Sequence, residues 1–87
     1  MEYDTEFWNK YTDENELKYN LEFAKFIRDL AVSLRCSSVL EVGCNAGNDL
    51  REFPENFEVH GIDLNEYALD FARKKLPSFK FKNCSIY

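Results

Sequence analysis

The sequence predicts an α/β domain in which an N-terminal helix is followed by a βαβαβ unit with a parallel sheet. Two observations support this prediction. Apolar residues recur at three- and four-residue steps from Asn15 to Leu34, which is typical of an amphipathic helix. After Ser37, short apolar runs alternate with helical segments, and this order implies parallel strands joined by right-handed crossovers.

The length of 87 residues fits one domain with a modest core. A doubly wound domain normally continues past its third strand to a second half. We therefore expect residues 1–87 to form a single partial domain, divided into an N-terminal segment or lid (1–14), a helix (15–35) and the βαβαβ unit (37–87).

The helix expected over residues 15–35 is about five turns long. Its apolar stripe consists of Leu17, Leu21, Ala24, Ile27, Ala31 and Leu34, widened by Phe23, Phe26 and Leu30. We interpret these aromatic side chains as part of the core, because a wide apolar face normally packs on a sheet.

Each element of the βαβαβ unit has its own signal. Strands are predicted over residues 39–42, 57–64 and 79–86, and helices over residues 48–53 and 66–76. The first strand stops at Gly43, and Pro54 and Pro77 end the two helices. Asn65 is the expected N-cap of the second helix.

Composition excludes several classes of function. The net charge of −5 argues against a nucleic-acid binder, because such binding depends on Lys and Arg neutralising phosphates. The three cysteines, Cys36, Cys44 and Cys84, form no CxxC pair, and His60 cannot complete a metal site with them at a familiar spacing. We expect no metal, no membrane partner, and reduced thiols in a cytoplasmic protein.

The carboxyl ends of parallel strands are where such sheets bind ligands. The first of these loops places Glu41 at the end of a strand, followed by Gly43 and Gly47. A dinucleotide-binding GxGxxG pattern that starts at Gly43 fails at Asn45 and Asn48. This mismatch disfavours a small nicotinamide-binding unit, and the nearby acids suit a ligand without phosphates.

Residues 39–47 resemble the first motif of class I S-adenosylmethionine-dependent methyltransferases, an acidic residue followed by x-Gly-x-Gly-x-Gly. The resemblance continues through Gly61-Ile-Asp63 and through residues 83–86, and it covers residues 37–87. It departs from the family pattern at Asn45, although Asn tolerates left-handed backbone conformations. Glu41 and Asp63 lie about twenty residues apart, as expected between a glycine loop and a ribose-binding acid.

The resemblance implies a Rossmann-like methyltransferase fold that binds S-adenosylmethionine. It implies that Asp63 accepts hydrogen bonds from the ribose hydroxyls, that Glu41 lies near the methionyl ammonium, and that Leu64 packs on the adenine. Gly43 would leave room for the methionine portion. The implied cofactor-binding residues are Glu41, Gly43, Cys44, Asn45, Gly47, Asp63, Leu64, Ser85 and Ile86.

Structural explanations remain open for several of these residues. Asp63 could cap the following helix, and Glu41 could be a buried acid satisfied by loop amides. Cys44 is interpreted as a small loop filler, because no nearby base or cation lowers its pKa. His60 is interpreted as a core or face residue of its strand.

The implied reaction is direct displacement of the sulfonium methyl by an unidentified, small-molecule acceptor. No residue is an obvious general base, so the catalytic residues are unknown, and this chain alone is not expected to turn over. Aromatic and polar residues in the segment 6–15 are also similar to methylases associated with pseudaminic acid biosynthesis. The alternative is a non-catalytic cofactor-binding or protein-interaction module. We also expect self-association through the first strand, whose edge would be open.

Overall fold

The computed structural model describes residues 4–16 and 20–87. In chain order the elements are α1 (Thr5–Glu16), α2 (Leu21–Ser33), β1 (Ser38–Val42), a 3₁₀ turn (Asn48–Leu50), β2 (Glu58–Asp63), α3 (Glu66–Lys75) and β3 (Lys80–Asn83). Parts of the predicted N-terminal segment and of the predicted first helix, residues 1–3 and 17–19, lie outside the described residues. The predicted α/β class is confirmed.

The three strands form one parallel sheet in the order β1-β2-β3. Its register aligns Glu41 with Gly61 and Phe81, and the next row aligns Val42 with Ile62 and Lys82. Strand β1 is therefore at the edge of this sheet. Because all strands run the same way, their carboxyl ends meet at one edge, where the first, second and third loops leave the sheet.

The prediction of one helix over residues 15–35 is wrong at its start. Asn15 lies in α1, and α2 begins only at Leu21. The reason is a cap: the side chain of Asn20 accepts a hydrogen bond from the Phe23 amide at 3.0 Å, which satisfies an N–H that has no partner within the helix. The segment expected as a lid is itself largely helical, and the Asp4 carboxylate accepts from the Phe7 amide near its start.

Two other elements are shorter than predicted by three residues or more. Only the turn Asn48–Leu50 forms in place of a helix over residues 48–53, because Leu50 and Phe53 turn into the core. Strand β3 ends at Asn83 and not at residue 86, because Asn83 pairs with Asp63, the last residue of β2.

The core lies on one face of the sheet. Leu50 and Leu69 are fully buried there, and Val59 contributes from β2. On the other face, Leu40 remains 58% exposed and Val42 49% exposed. Strands of parallel sheets are usually covered on both faces. Because Leu40 and Val42 are exposed, β1 packs mainly through its core face. In the described ranges, no helix has the length and apolar character needed to cross a membrane.

We predict that Gly61→Ala destabilises the fold. A Cβ at this position would lie 2.7 Å from the Cys44 sulfur and 2.8 Å from the Phe81 ring. Both side chains would have to move away from β2 to make room for it. The expected loss in the free energy of unfolding is about 1 to 3 kcal/mol, measured by urea denaturation.

The matched control is Gly43→Ala. A Cβ there would meet no atom within 4 Å, so only its left-handed backbone opposes the change, at about 1 to 2 kcal/mol. The two variants lose stability for different reasons, a steric clash in Gly61→Ala and backbone strain in Gly43→Ala. Substituting Phe81 by a smaller residue should therefore reduce the loss of stability in Gly61→Ala and not change that in Gly43→Ala. A Gly61→Ala chain as stable as the parent would contradict the packing described above.

Candidate functional site

A cleft of about 870 Å³ opens at the carboxyl end of the sheet. It is lined by the loops that follow β1, β2 and β3, and helix α1 forms a further wall with Trp8 and Tyr11. This volume lies within the range of cofactor and drug-sized ligand sites. The position is the one at which parallel α/β sheets bind ligands.

The first loop is folded back onto the second strand. The amides of Gly43 and Cys44 both donate to the Ile62 carbonyl, at 2.8 and 3.0 Å. Gly43 has φ of 72° and open space where a Cβ would stand, so the backbone there faces the cleft without obstruction. Gly47 has φ of 78°, and a Cβ there would lie against Leu76 and Ala72.

Asp63 lines the cleft and joins two of its loops. One carboxylate oxygen accepts from the Asn45 amide at 2.7 Å, and the other accepts from the Asn65 amide at 2.8 Å. The N-cap of α3 is Asn65, whose side chain accepts from the Ala68 amide, so Asp63 is not needed as a cap. Each carboxylate oxygen has two lone-pair directions, and one on each remains for a ligand hydroxyl.

Glu41 does not line the cleft. It faces the groove between β1 and α2, and its Oε1 is buried without a hydrogen-bond partner. Loop amides therefore leave this oxygen unsatisfied. Burial, reinforced by a hydrogen bond with Asp49 and by the charges of Asp49 and Asp63, raises the pKa of Glu41 from 4.5 to about 8. At neutral pH Glu41 is thus mainly protonated and shares its proton with Asp49, which does line the cleft.

The lining of the cleft is acidic. Asp49 and Asp63 contribute carboxylates, and no Lys, Arg or His side chain is among the lining residues of the described chain. Lys75 reaches the margin from α3 and donates to the Asn48 side chain at 2.7 Å. A site of this composition favours cationic or neutral ligands over phosphates.

Cys44 and His60 take structural positions, whereas Cys84 lines the cleft and Cys36 is exposed. Burial, followed by the nearby charges of Asp63 and Glu41, raises the pKa of Cys44 to about 12, so this residue is a thiol that fills space beside Gly61. All three cysteines are free. His60 lies within β2, with its Nε2 3.1 Å from Glu58, and is not part of the cleft. No group of three His, Cys, Asp or Glu in residues 4–16 and 20–87 is placed to hold a metal.

Most of the residues expected at the site come together. Those that line the cleft are Gly43, Cys44, Asn45, Asp63, Leu64, Ser85 and Ile86, whereas Glu41 and Gly47 are not among the lining residues. Their contacts with a cofactor stay a prediction. The residues that the motifs did not indicate include Trp8, Tyr11, Asn15, Asn48, Asp49 and Tyr87. Trp8 and Tyr11 belong to the segment expected as a lid, and their spacing of about one helical turn places both rings on one side of α1.

We predict that Glu41→Gln removes a pH dependence of stability. Glu41 loses its proton near pH 4.5 in the unfolded chain but near pH 8 in the folded chain. Between these values only the folded chain holds the proton, so the stability of the parent falls as pH rises. At pH 5 parent and variant should be similar. At pH 8.5 the variant should be more stable, by about 2 to 4 kcal/mol once solvent screening of the partly exposed Glu41 is allowed for. Urea denaturation at both pH values measures this.

The control for this comparison is Glu55→Gln, which changes the same charge at an exposed position. This variant should follow the parent at both pH values. A Glu41→Gln chain whose advantage over the parent is the same at pH 5 and pH 8.5 would show that Glu41 does not titrate differently in the folded state.

Comparison with known proteins supports the fold and the family. The family described as "Methyltransferase domain" matches residues 39–87. The tRNA N(3)-methylcytidine methyltransferase of Schizosaccharomyces pombe is 26% identical over 98% of this chain and 31% of its own length.

Two solved structures are similar. DesVI of Streptomyces venezuelae has a TM-score of 0.61 and 31% identity, over 93% of this chain and 36% of that one. A methyltransferase from Thiobacillus denitrificans, described as S-adenosylmethionine-dependent and solved with S-adenosyl-L-homocysteine, has a TM-score of 0.62 at 20% identity, over 97% and 38% of the two chains. This chain therefore spans about a third of the length of these relatives. Because the family match covers more than half of its residues, the chain belongs to the methyltransferase-domain family.

Proposed function

We propose that this chain binds S-adenosylmethionine in the cleft, and that it is the cofactor-binding part of an enzyme that methylates a small molecule. The observation that carries the proposal is Asp63. Its carboxylate lies in the cleft at the end of β2, is fixed by two loop amides, and keeps lone pairs for the two hydroxyls of a ribose.

The remaining lining fits the other portions of such a ligand. Leu64 is 52% exposed and Ile86 60% exposed, and together they offer apolar surface on which an adenine can pack. Open space beside Gly43 admits an amino-acid portion close to the backbone. The acidic lining attracts a ligand that carries both a sulfonium and an ammonium group.

Bound S-adenosylmethionine would supply an electrophilic methyl group on sulfur. The contribution of the chain is to bind and orient: Asp63 fixes the ribose, Gly43 provides the approach to the backbone, and Trp8 with Tyr11 excludes water from one side. Orientation of this kind lowers the barrier to displacement mainly through proximity.

The proposed acceptor is a small molecule. The net charge of −5 and the lack of cationic lining residues in the described cleft disfavour a polyanionic acceptor such as nucleic acid. The similar protein from fission yeast is named for tRNA, so tRNA is a useful counter-test in any transfer assay. The proposed setting is a reducing cytoplasm, which suits the free Cys36, Cys44 and Cys84.

We predict that Asp63→Ala weakens binding of S-adenosyl-L-homocysteine at least tenfold, because the charged acceptor for the ribose hydroxyls is lost. Asp63→Asn, which keeps one oxygen for the loop amides, should also lose affinity. Calorimetric titration measures both. The control is Asp70→Asn, which removes an exposed carboxylate on α3 that pairs with Arg73 outside the cleft. Equal affinity in the parent and in both Asp63 variants would exclude the ribose assignment.

We further propose that the chain self-associates by pairing of β1 with β1 of a second copy. The support is that β1 is at the edge of the described sheet and that Leu40 and Val42 are exposed on it. An edge strand without Pro or Lys offers unpaired amides and carbonyls to another strand.

The expected result is a dimer in size-exclusion chromatography with light scattering at tens of micromolar, and a shift toward monomer in Leu40→Lys. The control is Val32→Lys, which places the same charge on an exposed position of α2. Val39 is unsuitable for this test because it packs against the core. A monomeric parent, or a Leu40→Lys chain that associates as the parent does, would contradict pairing through this edge.

A further inference from the structure

The side chain of Asn45 has a contact that a glycine could not make. Asn45 stands where the first motif commonly has glycine, with φ of 51°, and its amide donates to Asp63. Its side-chain oxygen lies 3.0 Å from the hydroxyl of Thr12 on α1. Asn45 therefore contacts both the Asp63 carboxylate, which lines the cleft, and the helix that forms the cleft wall.

Thr12 is fully buried, with 0% of its surface exposed. Its hydroxyl lies 2.9 Å from the Trp8 carbonyl, the usual contact of a helical Thr with the preceding turn, and 3.0 Å from Asn45 Oδ1. The Thr12 hydroxyl has one proton, which it can donate to either of these two oxygens. Because Thr12 is buried and its contact with Asn45 is partly buried, loss of the hydroxyl would leave the Asn45 oxygen with a poorer partner.

Helix α1 presents aromatic rings to the cleft just before this contact. Trp8 and Tyr11 line the cleft and pack edge to face at 5.3 Å between ring centroids. Trp8 lies one helical turn before Thr12, so any shift of the Thr12 position moves the rings with it.

Other polar contacts also join α1 to the rest of the described domain. The Asn48 side chain donates to the Asn15 carbonyl at 3.0 Å, and the Tyr67 hydroxyl donates to Asp13 at 2.5 Å. The second of these is exposed, where hydrogen bonds contribute less. The Thr12 hydroxyl is instead within a fully buried residue and reaches the first loop directly.

We propose that Thr12 and Asn45 are a positioning pair, which sets the distance between the first loop and the aromatic wall so that Trp8 and Tyr11 contact the ligand bound at Asp63. The proposal rests on the function proposed above for the ligand. It explains why a side chain is useful at Asn45 despite its left-handed backbone. A ligand held at Asp63 also stiffens the Asn45 amide, so ligand binding and the placement of α1 support each other.

The test uses the full chain and two readouts. Trp8 is the one tryptophan of the sequence, so acrylamide quenching of its fluorescence reports the wall directly, with and without S-adenosyl-L-homocysteine. Calorimetry gives the affinity for the same ligand. The variants are Thr12→Val, which keeps the volume and removes the hydroxyl, Thr12→Ser, which keeps the hydroxyl, Asn45→Gly, and the Thr12→Val/Asn45→Gly double variant. Tyr67→Phe is the control that removes the exposed contact of α1.

Thr12→Val and Asn45→Gly should each make Trp8 more accessible to acrylamide and weaken ligand binding about three- to tenfold. The double variant should be little worse than either single one, because both remove the same contact. Thr12→Ser should stay close to the parent, as should Tyr67→Phe. Circular dichroism and urea denaturation are used to check that each variant is folded.

Three results would overturn the pair: unchanged quenching in both single variants, additive losses in the double variant, or a loss in Thr12→Ser equal to that in Thr12→Val. Failure of the proposed function is a different result. If the parent itself shows no binding of S-adenosyl-L-homocysteine, the ligand assignment fails, and quenching of Trp8 in the free chain still decides whether Thr12 and Asn45 position α1.

Discussion

The carboxylate of Asp63 is the contact on which the rest of the site depends. It ends β2 and accepts one hydrogen bond from the first loop and one from its own, so the loops that follow β1 and β2 are fixed relative to each other. Without that bridge, the left-handed Asn45 would have no partner for its amide. A carboxylate is suited to this task because it accepts from two amides at once and still has lone pairs left.

The negative charge of this region has a cost that the chain reduces by holding a proton. Glu41, Asp49 and Asp63 lie close enough to repel one another, and burial of Glu41 adds to the cost of ionising it. Protonation of Glu41 at neutral pH turns repulsion with Asp49 into a hydrogen bond. A cationic ligand would favour the ionised form instead, since an opposite charge lowers the pKa of a carboxyl group. The clustered acids therefore make the ligand-free fold less stable than neutral side chains would. The same negative charge favours binding of a cation.

Sequence reasoning predicted the strands and loops because their signals are local. The β-branched run before Gly43 and the Asn65 cap before α3 each depend on neighbours in sequence, and both are found as expected. The break between α1 and α2 was missed because continuous apolar spacing outweighed a single Asn20 cap. The sequence could not show that Glu41 faces the groove between β1 and α2 and not the cleft. Its direction depends on which face of β1 the core occupies, and that is set by the packing of α2 and the 3₁₀ turn. Thr12 and Asn45 are far apart in sequence, and no local pattern joins them.

The open face of the sheet and the cleft are parts of one surface. Val42 and Ile62 are aligned in register on the face opposite the core, and both also line the cleft. The row continues to Lys82 on β3, so the apolar part lies toward β1 and the basic part toward β3. Parallel sheets are usually covered on both faces. Any layer packed on this row, from a second copy or from another polypeptide, would therefore border the cleft as well as the sheet. Cover of the open face and occupancy of the cleft would each stabilise the folded chain relative to the unfolded one, because each partner binds only the folded state.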